Sequence, residues 1–215
     1  VMVDISPLAN LQACWQVIKQ YYKEHATPTR YRYLNRLSMF VRRTGNCPKL
    51  RGKAAEIRHF GGALLAVWAK FMRPVTIHKQ IHLMLRLNVQ LETTLTEYKE
   101  AIALPPAIAE QFKEAAFSMC CLQGQIADHF VDVASESGIK LFDITSKAHM
   151  LLHCAILSKY INPRMVWCFA GEDMMHQHQT LAMACVKGLN GAQASVKMAH
   201  HHRLGLHMRF KELET

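Results

Sequence analysis

Apolar residues recur at three- and four-residue spacing along almost the whole chain, and Pro, Gly and short polar clusters cut that rhythm into segments. Ser6-Pro7 marks the first helix start, because the first-turn N–H that Pro lacks has no helical partner anyway. Leu8, Leu11, Trp15, Ile18 and Tyr22 form its apolar face, and it stops near His25, before Thr27-Pro28-Thr29. From Thr29 to Arg43 the spacing of Tyr33, Leu37, Phe40 and Val41 predicts a basic helix, closed by Thr44-Gly45-Asn46-Cys47-Pro48. A third helix is expected over Leu50 to Met72. Gly61-Gly62 inside it permits close packing or a kink, at a cost of roughly 1 kcal/mol per Gly relative to Ala.

Pro74 opens a fourth helix, about Val75 to Ala103, with Ile81, Leu85, Leu91 and Tyr98 on its core face. Leu104-Pro105-Pro106 separates it from a fifth, about Pro106 to Ser135, lined by Phe112, Ala116, Met119 and Ile126. Asp143 or Thr145 caps a sixth helix over Ser146 to Tyr160, and Pro163 follows its end. A seventh runs from about Glu172 to Lys187, with Gly188 just past it, and an eighth from about Ala192 to Glu212. No β-alternating run of convincing length and no internal repeat stands out. The expectation is an all-α fold over 1–215: a single domain of about seven to eight helices, with two long central helices and no sheet of three or more strands.

Half the residues are hydrophobic, enough for a sizeable core and too many for general disorder. The formal net charge is +10, which suits a polyanionic partner such as nucleic acid, or an anionic membrane surface; the bland alternative is a protein that is merely basic. No apolar run approaches the roughly 20 residues of a membrane span, and the N-terminus lacks the pattern of a signal peptide. Seven cysteines without a Cys-x-x-Cys read as reduced, mostly buried thiols, with vicinal Cys120-Cys121 as small core residues. An intracellular protein without a membrane partner is therefore expected, with the nucleus as its compartment if the polyanion is chromosomal DNA. The chain starts without Met and opens mid-pattern, which suits the C-terminal part of something longer.

Chemistry concentrates in a few places. Arg30, Arg32, Arg36, Arg42 and Arg43 interleave with Tyr31, Tyr33 and Phe40, a pattern able to grip phosphates and stack on bases; a solvated helix face is the alternative. Lys197, Arg203 and Arg209, with His200, His201, His202, His207 and Lys211, make the eighth helix cationic or potentially so. His78 and His82 stand at i, i+4, a metal-capable spacing that lacks a nearby third ligand in sequence. Glu56 and His59 are one turn apart, within reach of a simple i, i+3 contact. The densest stretch is Thr145 to Lys187. It holds His149 and His153 one turn apart, the break at Asn162-Pro163, Trp167-Cys168-Phe169, the acidic pair Glu172-Asp173, and His176 and His178. Two acids at a helix start are favoured by the helix dipole. Alternatively one of them ligates Mg²⁺, or the histidines build a zinc site with Glu172.

That stretch resembles the C-terminal region of DNA transposases of the CACTA (En/Spm) type. In those proteins a His-x-Leu-x-x-His helix is followed by a Gly-Pro turn, an aromatic segment ending in Phe-Glu, a further helix and a basic tail. The matching residues here are His149, Leu151 and His153, then Asn162-Pro163, then Trp167, Phe169 and Glu172. An upstream block of that family is similar to Lys53, Glu56, His59 and Leu64-Leu65. Asn162 stands where the family has Gly, Ala170-Gly171 separate Phe169 from Glu172, and Asp173 takes the place of an Arg. The resemblance implies an RNase H-like catalytic core lying before residue 1, clustered carboxylates with Mg²⁺ in the intact parent, and Glu172 as a catalytic carboxylate and Mg²⁺ ligand. His149, His153, Trp167, Asp173, Glu56 and His59 would be motif or orienting residues. By itself this region would be catalytically incompetent; it would pack on the upstream domain and bind DNA without sequence preference. Two rivals stand beside it: a helical protein-interaction scaffold, and a metal-dependent hydrolase built on the histidine-rich face.

Overall fold

A computed structural model describes residues 6–41, 49–138, 140–166, 175, 179–185 and 191–213. The fold is all-α. The helices are α1 (Pro7–Glu24), α2 (Ala54–Arg58), α3 (Gly61–Phe71), α4 (Thr76–Glu97), α5 (Pro106–His129), α6 (Val131–Ser137), α7 (Ser146–Leu157), α8 (179–185) and α9 (Gly191–Leu213). Two 3₁₀ turns, Leu37–Met39 and Pro163–Met165, and one antiparallel ladder pairing β1 (Phe40–Val41) with β2 (Lys49–Leu50) complete the described elements. The two long helices α4 and α5 pack on each other, and α4 also packs on α3. Where the sequence reads as one domain, the chain divides into two compact units, Val1–Met165 and Val166–Thr215. Among the described residues no helix is long and apolar enough to cross a membrane.

Helix starts follow the local chemistry. Ser6 caps α1, its hydroxyl accepting the Ala9 N–H at 3.4 Å, and Pro7 fills the first helical position. Two clusters then carry the burial of the first unit. Leu11, Ile18 and Tyr22 of α1 meet Tyr31, Leu34, Phe60 and, on α3, Ala63 and Val67. Leu91 of α4, Leu104, the α5 residues Ala109, Phe112, Ala115 and Ala116, and Ala155 of α7 form the second. Three alanines on α5 keep that interface thin, so the neighbouring helices approach closely.

The structure corrects several expected boundaries, each for a tertiary reason. The segment 29–36 is irregular rather than helical, and leads through the 3₁₀ turn into β1. Tyr31 and Leu34 are drawn into the first core, while Arg32 and Arg36, like charges at i, i+4, disfavour a helix there. The expected helix over Leu50–Met72 breaks at His59-Phe60 into α2 and α3. The break lets Phe60 set its ring edge-on to Tyr31, centroids 5.4 Å apart. A Cβ on Gly62 would overlap the Tyr21 hydroxyl, so Gly here permits the contact between α3 and α1. The fifth expected helix breaks at Phe130, whose ring stacks on Phe142 at 5.8 Å. Phe142 takes φ +57°, and Gln123 holds that turn by donating to the Phe142 and Asp143 carbonyls. Cys121 is exposed, not a core residue, whereas Cys120 is half-buried with its thiol 3.8 Å from the Ala148 carbonyl.

One polar residue fastens the second core. Asn162 is completely buried. Its amide donates to the Tyr98 carbonyl at 2.8 Å and the Ala101 carbonyl at 3.0 Å, and its Oδ1 accepts the Arg164 N–H at 3.0 Å. Its backbone N–H donates to the Ile102 carbonyl (2.7 Å), and Leu104 N–H to the Ser158 carbonyl (2.9 Å). The turn after α7 is thereby stitched to the turn after α4.

Candidate nucleic-acid interface

The charge of this protein is concentrated. Residues 25–55 hold eight of the 26 Lys and Arg and none of the 16 Asp and Glu, so eight of the ten net positive charges sit on 31 residues. The structure shapes this segment around one buried aromatic, Tyr31, while Tyr33 and Phe40 stay exposed, as do Arg30, Arg32, Arg36, Arg51 and Lys53. Tyr31 is buried, and its hydroxyl donates to the Arg51 carbonyl at 3.2 Å. Burial, with Glu56 adding to it, raises that hydroxyl above its ordinary value, so it stays protonated as a donor. Arg51 N–H donates to the Met39 carbonyl at 2.7 Å, next to the ladder that pairs Phe40 with Leu50. The two ends of the basic segment are therefore held side by side, while the side chains of Arg32, Arg36, Arg51 and Lys53 stay exposed.

The five arginines chosen from sequence do not share one fate. Arg30 is spent on structure: its Nε donates to the Thr27 carbonyl (3.0 Å), its Nη2 to the His25 carbonyl (3.2 Å), and its guanidinium lies 5.6 Å from the Tyr22 ring centroid. It clips the end of α1. Arg32 and Arg36 are exposed and make no ion pair or side-chain hydrogen bond with the described residues. Arg42 and Arg43 lie outside the described residues. Of the interleaved aromatics, Tyr31 is core; Tyr33, 56% exposed, is the ring available for stacking. Arg51 and Lys53 were missed as part of this surface. A count of acids in a sliding window would have found them.

The second unit carries a separate basic strip. On α9, Lys197, His200, Arg203, His207 and Lys211 follow one another at three- or four-residue steps, so they share a face about 21 Å long. Lys197, His200, Arg203 and Lys211 are exposed, and Lys197 and His200 line a groove with Gln193 and Val196. The side chain of Arg209 lies outside the described set. His201 lines the same groove, with its Nδ1 3.7 Å from the buried Cys185 thiol.

The remaining motif residues are placed as follows. Glu56 bends back to accept the Lys53 N–H at 2.8 Å, an ordinary start for α2, and does not meet His59. His59 lines a cleft of about 220 Å³ with Arg58, Gly61, Asn88 and Glu92, where Arg58 pairs with Glu92 at 2.7 Å. The Nδ1 of His59 is buried and has no hydrogen-bond partner among the described residues. Burial first, and the neighbouring Arg58 guanidinium second, hold its imidazole below the ordinary histidine value. His78 belongs to the α3–α4 elbow: its Nδ1 accepts the Arg73 N–H at 2.8 Å and its carbonyl accepts the Trp68 indole at 2.9 Å. His149 and His153 are exposed on α7, with their Nε2 atoms 2.9 Å apart. Trp167, Glu172, Asp173, His176 and His178 lie outside the described residues. No group of three or more His, Cys, Asp or Glu among the described residues is arranged to hold a metal ion. No family model, no curated protein and no solved structure matches this chain.

Proposed function

We propose that this chain binds nucleic acid through its phosphate backbone, with little sequence preference, and that its main contact surface is the basic segment 25–55. The observation that carries this reading is the acid-free run of eight cations, in which Arg32, Arg36, Arg51 and Lys53 are exposed around a buried tyrosine anchor and Arg30, also exposed, is tied to local carbonyls. Arginine forks and lysine ammonium groups spaced along an irregular strand suit phosphate oxygens. Tyr33 between Arg32 and Arg36 supplies a face for a base in a single strand. The strip on α9 adds a second cationic contact in the other unit.

The wider reading that goes with it is a helical C-terminal region of a CACTA-like transposase, which packs on an upstream RNase H-like core and holds DNA for it. The likeness of His149, Leu151 and His153, with the second His one residue closer than in that family, and of Asn162-Pro163 to the family's motifs supports this, and Glu172 would be its metal-binding carboxylate. The binding claim is tested by fluorescence anisotropy with labelled duplexes and single strands of unrelated sequence, over a range of salt. The expected result is similar affinity across sequences and a steep linear fall of log K with log salt, about 0.9 per phosphate neutralised on duplex DNA. Strong selection of one sequence, or affinity indifferent to salt, would overturn it.

A further inference from the structure

We propose that His149 and His153 form a two-nitrogen chelate for a divalent ion of the copper(II)–nickel(II) class. Both imidazoles stand on the exposed face of α7, one turn apart, with ring centroids 4.4 Å apart and planes at 89°. Their Nε2 atoms already converge to 2.9 Å, one nitrogen donating to the other's lone pair. The helix that carries them is fixed from behind, by Ala155 buried in the second core and Leu151 packed against it. The backbone that carries the pair is thus fixed, and an ion needs only the two exposed rings to turn until both Nε2 lone pairs meet on it.

Imidazole nitrogens and the general order of divalent affinities favour copper(II) first. Two nitrogens bound to one metal at about 2.0–2.1 Å lie about 2.9 Å apart when they occupy neighbouring corners of a square or octahedron, and about 3.3–3.4 Å apart on a tetrahedron. The observed 2.9 Å is a hydrogen-bond separation that also fits the right-angled sites copper(II) and nickel(II) favour, whereas the tetrahedral site of zinc needs the pair to open by about 0.4–0.5 Å. Binding balances without loss of a proton. The imidazole that donates through Nε2 moves its proton to Nδ1 by way of solvent, both Nε2 lone pairs go to the metal, and two waters leave the ion. Water fills the other coordination positions. His78 and His82 have the same spacing but not the same readiness, because Nδ1 of His78 is held by the Arg73 N–H. Neighbours in the tract His200-His201-His202 sit about 100° apart around α9 and do not converge.

The test uses the full chain, labelled with nitrogen-15, and copper(II) sulfate added below one equivalent. The amide signals around 149–153 should broaden first, and His153→Gln should abolish that broadening while any effect at 200–202 stays. Copper(II) and then nickel(II) should raise the Tm of the wild type by mass action, zinc less at equal concentration, and His149→Gln or His153→Gln should remove the rise without changing the Tm measured in chelator. Broadening confined to other histidines, a Tm rise retained in both variants, or zinc exceeding copper would each overturn the assignment.

Discussion

Asn162→Ala removes three hydrogen bonds from a completely buried position and leaves the Tyr98 and Ala101 carbonyls and the Arg164 N–H facing a small void. At about 1 kcal/mol net per bond, with more where a buried group is left unsatisfied, the loss should be about 3–5 kcal/mol. For a unit of this size that corresponds to a fall of about 6–20 °C in Tm. Urea unfolding followed through Trp15 and Trp68, both in the first unit, should show a lower midpoint at an unchanged m value. Asn162→Asp is the sharper probe. It keeps the shape but sets a carboxylate against two carbonyl oxygens, so its folded-state pKa must rise above the ordinary value of about 3.9. The folded state then holds more protons than the unfolded one between those two values, and the deficit relative to wild type should shrink as pH falls through that window. At neutral pH Asp should cost more than Ala. A cost under about 1 kcal/mol for Ala, or an Asp deficit that ignores pH, would refute the view of Asn162 as the stitch between two turns.

Gly62→Ala should destabilise the wild type, because its Cβ meets the Tyr21 ring. In a Tyr21→Ala background it should stabilise by up to about 1 kcal/mol through helix propensity, and a double-mutant cycle by urea unfolding reads that reversal of sign. His59, held below its ordinary value, binds fewer protons folded than unfolded, so stability should fall as pH drops below about 6.5. In His59→Gln the part of that slope due to His59 should vanish, as Tm measured from pH 7.5 to 5 would show. Tyr33→Ala should weaken single-strand binding by about 1–3 kcal/mol if one base stacks on it, with much less effect on duplex and no change in salt slope, measured by anisotropy.

How far each feature is legible in sequence depends on where its cause lies. The start of α1 at Ser6-Pro7 and the long pair α4 and α5 were readable because capping and apolar spacing are local. Residues 29–36 misled because the same three-to-four spacing that suggests a helix also serves a strand of irregular chain pinned by two buried residues, Tyr31 and Leu34. The split at His59-Phe60 is set by a ring contact with Tyr31, far back in the chain, which no window around Gly61-Gly62 contains. The burial of Asn162 depends on carbonyls some sixty residues away; in sequence it was only the residue that replaces a family Gly. The spacing of His149 and His153 was legible, and their convergence was not, since His78 and His82 share it without sharing the outcome. Arg30 looked like its neighbours, yet local carbonyls claim it.

Nucleic-acid binding of this kind belongs to a place on the protein, not to its net charge. Two variants lose the same four charges: one carries Gln at Arg32, Arg36, Arg51 and Lys53, the other Gln at the exposed Lys79, Lys99, Lys147 and Lys159. Their log K against log salt on one unrelated duplex is compared with wild type. The first variant should lose up to about 3.6 from the slope, about 0.9 for each phosphate contact removed, and most of its low-salt affinity, while the second stays near wild type. Equal losses in both variants would contradict it.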